Sequence, residues 1–332
     1  MAGLRVPLPP LTEERPRKLM LAASTGGHIA QLVRLARGLG AEDDSLWVSF
    51  DSPQTRSLLA GRRTLMVPYI RPRDWQSTLL AHLVVRHALA DESFDAAVST
   101  GAALALAALP AARMKGIPSL YIESVSRVDG PSMTGRMLHA SHAFDVRSQH
   151  RTWARGRWGV HPSVLETYTT VPRLYSPSHP LRVFVTLGTI KGYRFDSLVD
   201  AVLASGIAGD QTTWQLGYTP RDDLPGRVHT HMASEDFDRA AREADVVITH
   251  AGVGTIMGLL EMGIYPVAAV RRQARGEHVD DHQAQIARLM NEAGIGVAVE
   301  TDELDAAVFE RAAALRVISG TADTADLPRF AG

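Results

Sequence analysis

Short apolar runs alternate along the chain with stretches whose apolar positions recur every three or four residues. The run KLMLAA at 18–23 predicts a buried strand. The turn STGGH at 24–28 follows it. A helix is expected over 29–39, where Ile29, Leu32, Val33, Leu35, Ala36 and Leu39 share a face. Further strands are expected at 46–50, 96–101 and 119–123. The segment 79–89 (LLAHLVVRHAL) reads as a helix, packed on a core or also touching lipid headgroups. The Ala-rich stretch 102–112 reads as a buried helix interrupted at Pro110. Strands alternating with helices imply parallel pairing, an α/β class and a doubly wound sheet.

The pattern breaks at TYTTVPRLYSPSHP, 167–180, which has three prolines and no helical period, and then restarts. Strands are expected at 181–187, 245–249 and 265–270. Helices are expected at 195–203, 256–262, 282–292 and 305–318. This predicts a flexible tail at 1–17, an N-terminal domain at 18–170, a linker at 171–180 and a C-terminal domain at 181–332. Two such domains facing each other would leave a cleft at the carboxyl ends of their sheets, where open α/β sheets bind ligands.

A length of 332 residues suits two domains. The net charge of −1 gives no basic excess for nucleic acid. With no cysteine, disulfides, thiolate metal sites and a cysteine nucleophile are excluded. The proline-rich start lacks the apolar core of a secretion signal, and no stretch reaches the roughly 18–20 apolar residues of a membrane span. A cytoplasmic location is expected.

Three loops carry candidate chemistry. In STGGH, Gly26 and Gly27 let a ligand approach the backbone, and the following helix start favours an anion. The loop matches neither GxGxxG nor a P-loop, which argues against nicotinamide and ATP sites. The second loop, THAGVGT at 249–255, again joins strand to helix. Thr255 there either caps the helix or bonds a phosphate oxygen. Glu261, six residues on, either accepts ribose hydroxyls or is a solvated helix residue. The third, EHVDDHQ at 277–283, is rich in ionisable groups but lacks the HExxH order of a helical zinc pair. It reads as a sugar- or phosphate-contacting loop, a solvated helix start or, least favoured, a metal site. The arginines of RRQAR, 271–275, either meet an acidic sugar or phosphate or are solvated.

Taken together, FVTLGT (184–189), ITHAGVGTIMGLLEMG (248–263) and EHVDDHQAQIA (277–287) resemble glycosyltransferase family 28 C-terminal domains. STGGHIAQL (24–32), VSTGAA (98–103) and YIESVSRVDGPSMTGRML (121–138) are similar to the membrane-anchoring partner in the two-subunit transferase that adds the second GlcNAc to dolichol diphosphate. The chain thus looks like a single-chain fusion of those two halves, as in bacterial exopolysaccharide- and peptidoglycan-type transferases.

The resemblance implies a GT-B fold with the nucleotide-sugar donor, a UDP-sugar, in the C-terminal domain and a lipid-linked or other glycan acceptor in the N-terminal one. It implies an inverting reaction with no cofactor and no metal. Gly252, Gly254 and Thr255, with His250, would hold the donor diphosphate, and Glu261 the ribose. His282 and Gln283 would contact the donor sugar, and Gly188 and Thr189 would line the cleft. Gly26, Gly27 and His28 would meet the acceptor, with His28 either the base or a phosphate ligand. Glu123, Ser124 and Arg127 belong to the acceptor-side motif. The membrane helix of the anchoring subunit has no counterpart in the polar tail, which leaves peripheral contact with the inner leaflet or a soluble acceptor. A UDP-sugar epimerase of the same architecture and a non-catalytic membrane-recruiting scaffold are the rival readings.

Overall fold

The computed structural model describes residues 16–71, 74–174, 180–188, 192–277 and 282–319. The chain divides at Val164/Leu165 into two units, where the sequence pattern places the boundary at 170/171.

The N-terminal unit runs β1 (Leu19–Ala23), α1 (Gly27–Gly38), β2 (Leu46–Phe50), α2 (Pro53–Leu58), β3 (Thr64–Val67), α3 (Trp75–Ala88), β4 (Ala96–Gly101), α4 (Ala103–Met114), β5 (Ser119–Ile122), α5 (Met133–Ala140), β6 (Asp145–Ser148) and β7 (Trp158–Val160). Its seven strands are parallel in the order β3-β2-β1-β4-β5-β6-β7. β1, β4 and β5 are buried at every position, which is why they read as unbroken apolar or small-residue runs. Met20, Val48, Val85, Leu104 and Leu109 meet in one core. Each such side chain contributes roughly 1.5–3 kcal/mol by leaving water. α4 continues through Pro110 to Met114, with Ala105, Ala107, Ala108, Ala111 and Ala112 buried.

The C-terminal unit runs β8 (Tyr168–Pro172), β9 (Val183–Thr186), α6 (Asp196–Ala204), β10 (Thr212–Gln215), β11 (Arg227–His229), α7 (Ser234–Glu243), β12 (Val246–His250), α8 (Val253–Glu261), β13 (Val267–Ala269), α9 (His282–Ala293), β14 (Val297–Val299), α10 (Ala306–Ala313) and β15 (Leu315–Ser319). Six strands form a parallel sheet in the order β11-β10-β9-β12-β13-β14. Both units are therefore doubly wound, Rossmann-like α/β bodies.

Two expectations are corrected here. The segment beginning at 167 is not wholly linker, because 168–172 form β8, paired antiparallel with β15. The last helix stops at Ala313 instead of reaching 318, and 315–319 are the strand β15. Val317 is buried between exposed Arg316 and Ile318, so the tail of that segment follows a period of two.

Candidate active site

Each sheet has one place where the strand order reverses. In the N-terminal unit the reversal lies between β1 and β4, and in the C-terminal unit between β9 and β12. Ligands of open α/β sheets bind beyond the carboxyl ends of the strands at such points. The loops singled out in the sequence, 24–28 and 249–255, follow β1 and β12.

In the N-terminal unit the two loop ends are laced together. The Ser24 N–H donates to the Gly101 carbonyl (2.9 Å), and the Ala102 N–H to Ser24 Oγ (3.1 Å). Gly26 has φ +83°, a left-handed conformation that glycine takes at no steric cost. It precedes α1 without offering a side-chain cap, and its own N–H is taken by Gln54 Oε1 (2.8 Å), so what the helix start offers a ligand is the N–H groups of Gly27 and His28.

His28, in the first turn of α1, places Nδ1 at 2.7 Å from the Thr100 carbonyl oxygen. A carbonyl only accepts, so Nδ1 carries the proton and the neutral ring keeps Nε2 as its basic nitrogen. Thr100 Oγ1 donates back to the His28 carbonyl (2.8 Å). Gly101, at φ +107°, packs on the ring, and a Cβ there would lie 3.1 Å from Cε1. Burial holds the imidazole below its ordinary value. The Thr100 carbonyl and the Glu123 carboxylate pull the other way, and Arg127 lowers it further. His28, Glu123 and Arg127 thus share one electrostatic neighbourhood.

Glu123 is buried and internally engaged. Its Oε1 accepts from the Tyr121 hydroxyl (2.9 Å) and the Ser124 N–H (3.1 Å). Its Oε2 accepts from the Ser132 N–H (2.8 Å) and hydroxyl (2.9 Å), which fastens the start of α5. Ser124 Oγ takes the Gln31 amide (3.1 Å) and meets Ser126 Oγ (3.0 Å). Gln31 Oε1 receives the Val125 N–H (2.9 Å) and the Gln149 amide (3.1 Å). Gln31 and Gln149 were not among the expected residues, yet they tie α1 to the loop after β5 and to the end of β6. The one sequence signal for Gln31 is an amide flanked by Ile29 and Leu32 on a helix that buries its apolar face.

In the C-terminal unit, α8 starts at Gly252 without a side-chain cap or an acidic residue in its first turn. Residues 252–255 are partly exposed; the Gly252 N–H donates to the His250 carbonyl (2.8 Å), and the N–H groups of Val253, Gly254 and Thr255 are those of the first turn. His250, at the end of β12, is folded under this turn so closely that a Cβ on Gly252 would overlap Nε2. Gly188, after β9, faces the same ring, its notional Cβ 3.1 Å from His250 Nε2. Gln283, in the first turn of α9, and Gln215, at the end of β10, are buried, and their Oε1 atoms accept no hydrogen bond.

Glu261 is the last residue of α8, about 12 Å along the axis from its first turn at 1.5 Å per residue. It is exposed and accepts from the Tyr168 hydroxyl (2.7 Å). The structure therefore groups Gly188, His250 and Gly252, and sets Glu261 at the other end of the helix. Thr189 lies outside the described residues, as do His278, Asp280 and Asp281. His282 begins α9. Among the described residues no three histidine or acidic side chains are grouped as a metal would need.

The three arginines of 271–275 differ. Arg272 and Arg275 are partly exposed and ion-paired, Arg272 with Glu300 and Arg275 with Glu277 (2.9 Å). Arg271 is fully buried.

Residues 222–313, from before β11 to the end of α10, match the glycosyltransferase family 28 C-terminal domain. The chain is a glycosyltransferase. It is 24% identical over 324 residues to the UDP-N-acetylglucosamine–N-acetylmuramyl-(pentapeptide) pyrophosphoryl-undecaprenol N-acetylglucosamine transferase of Rippkaea orientalis, covering 89% of this chain and 88% of that one. Among solved structures it is similar to MurG of Acinetobacter baumannii (TM-score 0.52, 20% identity, 89% of each chain). It is also similar to the glycosyltransferase SnogD of Streptomyces nogalater (TM-score 0.53, 18% identity, 90% of this chain and 93% of that one). These likenesses give this glycosyltransferase the GT-B fold. The family match takes in α8 and the start of α9, while Gly188 and Gln215 lie before it.

Proposed function

We propose that this glycosyltransferase moves a sugar from a UDP-sugar to a lipid-diphosphate-linked saccharide in cell-surface polysaccharide synthesis, with inversion and without a metal ion. The observation that carries the reading is the uncapped N-terminus of α8, set at the strand-order reversal of the C-terminal sheet. The same unit holds two buried, partnerless amide oxygens, of Gln215 at the end of β10 and of Gln283 in the first turn of α9. The helix start suits a diphosphate, and buried amide oxygens suit hydroxyls of a sugar or ribose. The likeness to the Rippkaea transferase over most of both chains supports the same donor and acceptor classes, and the joining of both functions in one chain.

In the proposed step an acceptor hydroxyl attacks the anomeric carbon from the face opposite the nucleotide. His28 Nε2 takes the hydroxyl proton, and the bond from the anomeric carbon to the diphosphate oxygen breaks. Negative charge then grows on the nucleotide diphosphate. Fixed N–H groups at 253–255, with the Thr255 hydroxyl and the close backbone approach that Gly252 and Gly254 allow, meet that charge without reorganising, as preorganised donors do. Gly27, behind the left-handed turn at Gly26, offers the same kind of helix-start N–H to the acceptor's diphosphate. Gly188 and Thr189 border the donor, and His282 and Gln283 take its sugar. A thermal-shift series with UDP-, GDP- and TDP-sugars tests the donor class, since a ligand of the native state raises stability with its affinity. UDP-sugars are expected to stand out. Transfer to an undecaprenyl-diphosphate-linked acceptor completes the test, and its absence with every UDP-sugar rejects the reading. Excess EDTA is expected to leave the rate unchanged. A loss restored by magnesium or manganese overturns the metal-free step.

The membrane part of the reading rests on α3. Trp75, Leu79 and Leu83 recur every four residues, and with Leu80 they are at least half exposed. Tyr69 is exposed as well, and Arg86 and His87 close the helix. None of the described helices is long and apolar enough to cross a membrane. An apolar stripe ending in basic residues fits lateral seating in an anionic leaflet. Replacing both Leu79 and Leu83 by serine is expected to weaken binding to anionic vesicles at least tenfold, because each leucine buried is worth roughly 1.5–3 kcal/mol. Unchanged cosedimentation rejects this surface.

A further inference from the structure

Arg271 leaves the carboxyl end of β13 and is buried completely. None of its three guanidinium nitrogens has a hydrogen-bond partner. Its Cζ lies over the Phe195 ring, 5.0 Å from the centroid. Gly188 stands against Nη1 and Nη2, so that a Cβ would come within 3.1 and 3.2 Å of them. His250 closes on the same glycine.

The carboxylate whose charge bears on Arg271 is that of Glu277. Both of its oxygens are already engaged. Oε1 takes the Ser197 hydroxyl, and Oε2 the Arg272 N–H (2.9 Å) and Arg275 Nε (2.9 Å). Burial pushes Arg271 down to about 10, so the group is still a cation at neutral pH. A cation with five N–H donors and no acceptor is among the costliest things a fold can bury. Phe195 relieves it through the face of the ring but does nothing for the N–H groups in the plane.

The neighbours say where relief comes from. Gly188 and His250 are the residues that border the open turn of α8. Gly188 adds no side chain of its own, so the space in front of it is bordered by the Arg271 guanidinium and the His250 ring. A guanidinium fork matches a group with two adjacent anionic oxygens.

We propose that Arg271 is the oxyanion-reading residue of the donor site, donating to two oxygens of the donor's anion past Gly188. This rests on the donor site proposed above and extends it to a residue outside the glycine turn. The shared chemistry is an oxyanion with paired oxygens. It comes either from the nucleotide diphosphate or from the carboxylate of an acidic sugar.

Titration calorimetry of the full chain separates the two sources, using uridine, UDP, UDP-glucose, UDP-glucuronate and inorganic pyrophosphate. The proteins are wild type, Arg271→Lys and Arg271→Met, each with its melting curve. If Arg271 reads the diphosphate, Arg271→Met loses at least tenfold in affinity for UDP and both sugars alike, with uridine unchanged. If it reads the sugar, wild type prefers UDP-glucuronate over UDP-glucose at least tenfold, and Arg271→Met abolishes only that preference. Lysine keeps the charge without the fork and is expected to recover part of either loss. Should the methionine variant fail to fold, Gly188→Ala narrows the same approach with the charge in place and is expected to show the same pattern. A folded Arg271→Met that binds every ligand within twofold of wild type overturns the proposal. If wild type binds no uridine nucleotide, the donor reading fails. The oxyanion proposal then stands on pyrophosphate alone: binding lost in Arg271→Met keeps it, and no binding ends it.

Discussion

Alanine at position 28 is expected to lower kcat by about 10²–10⁴, the usual range for removing a general base, while leaving donor affinity nearly unchanged. The reason is the direction of the ring. Nδ1 is spent on the Thr100 carbonyl at 2.7 Å, so the proton-accepting atom is Nε2. Burial lowers the pKa of the imidazole, so the neutral, basic form persists below the usual 6.5. The sign follows directly. Protonation inactivates the base, so kcat/KM should hold as pH drops through 6.5 and fall only at lower pH. His28→Asn offers an N–H toward Thr100 but no base. It should keep the fold and donor binding, and lose both the rate and the acid limb. Turnover of either variant within about threefold of wild type would remove His28 from proton transfer.

Glu123→Ala is expected to act on stability. The wild-type carboxyl accepts from Tyr121, from Ser124 and twice from Ser132, all within the buried end of β5 and the start of α5. Removing it strands these donors. Buried donors left unmade cost 1–3 kcal/mol each, so a loss of roughly 3 kcal/mol or more is expected. For a body of this size that corresponds to a fall in Tm of about 6–12 °C. Below the melt, the acceptor KM should stay near wild type. A variant that melts normally but shows a tenfold higher acceptor KM would restore Glu123 to the acceptor site, where the family resemblance puts it.

The contrast between His28 and Glu123 shows what the sequence could tell. Both lie in motifs visible without coordinates, because strand, glycine turn and helix are local patterns. The tautomer of His28 is set by Thr100, 72 residues away. The occupation of Glu123 depends on Ser132, which caps a helix the pattern did not predict. Buried parallel strands such as β1, β4 and β12 were legible as apolar runs. β6, β10 and β11 carry polar residues and were not. Glu261 was read from its distance in sequence, but 1.5 Å of rise per residue carries it to the far end of α8. Arg271 looked like one of three surface arginines. It packs against Gly188 and Phe195, which come from other segments, so no local pattern could reveal its burial.

The antiparallel ribbon of β8 and β15 brings the entry and exit of the C-terminal unit to one spot. Leu315 pairs with Pro172 and Ser319 with Tyr168, so the opening strand of that body is held by its closing one. Trimming 315–319 would therefore loosen residues at the opposite end of the unit's sequence. Splicing the two ends through a short loop, and opening the chain at an exposed turn elsewhere, should yield a circular permutant with the same strand order.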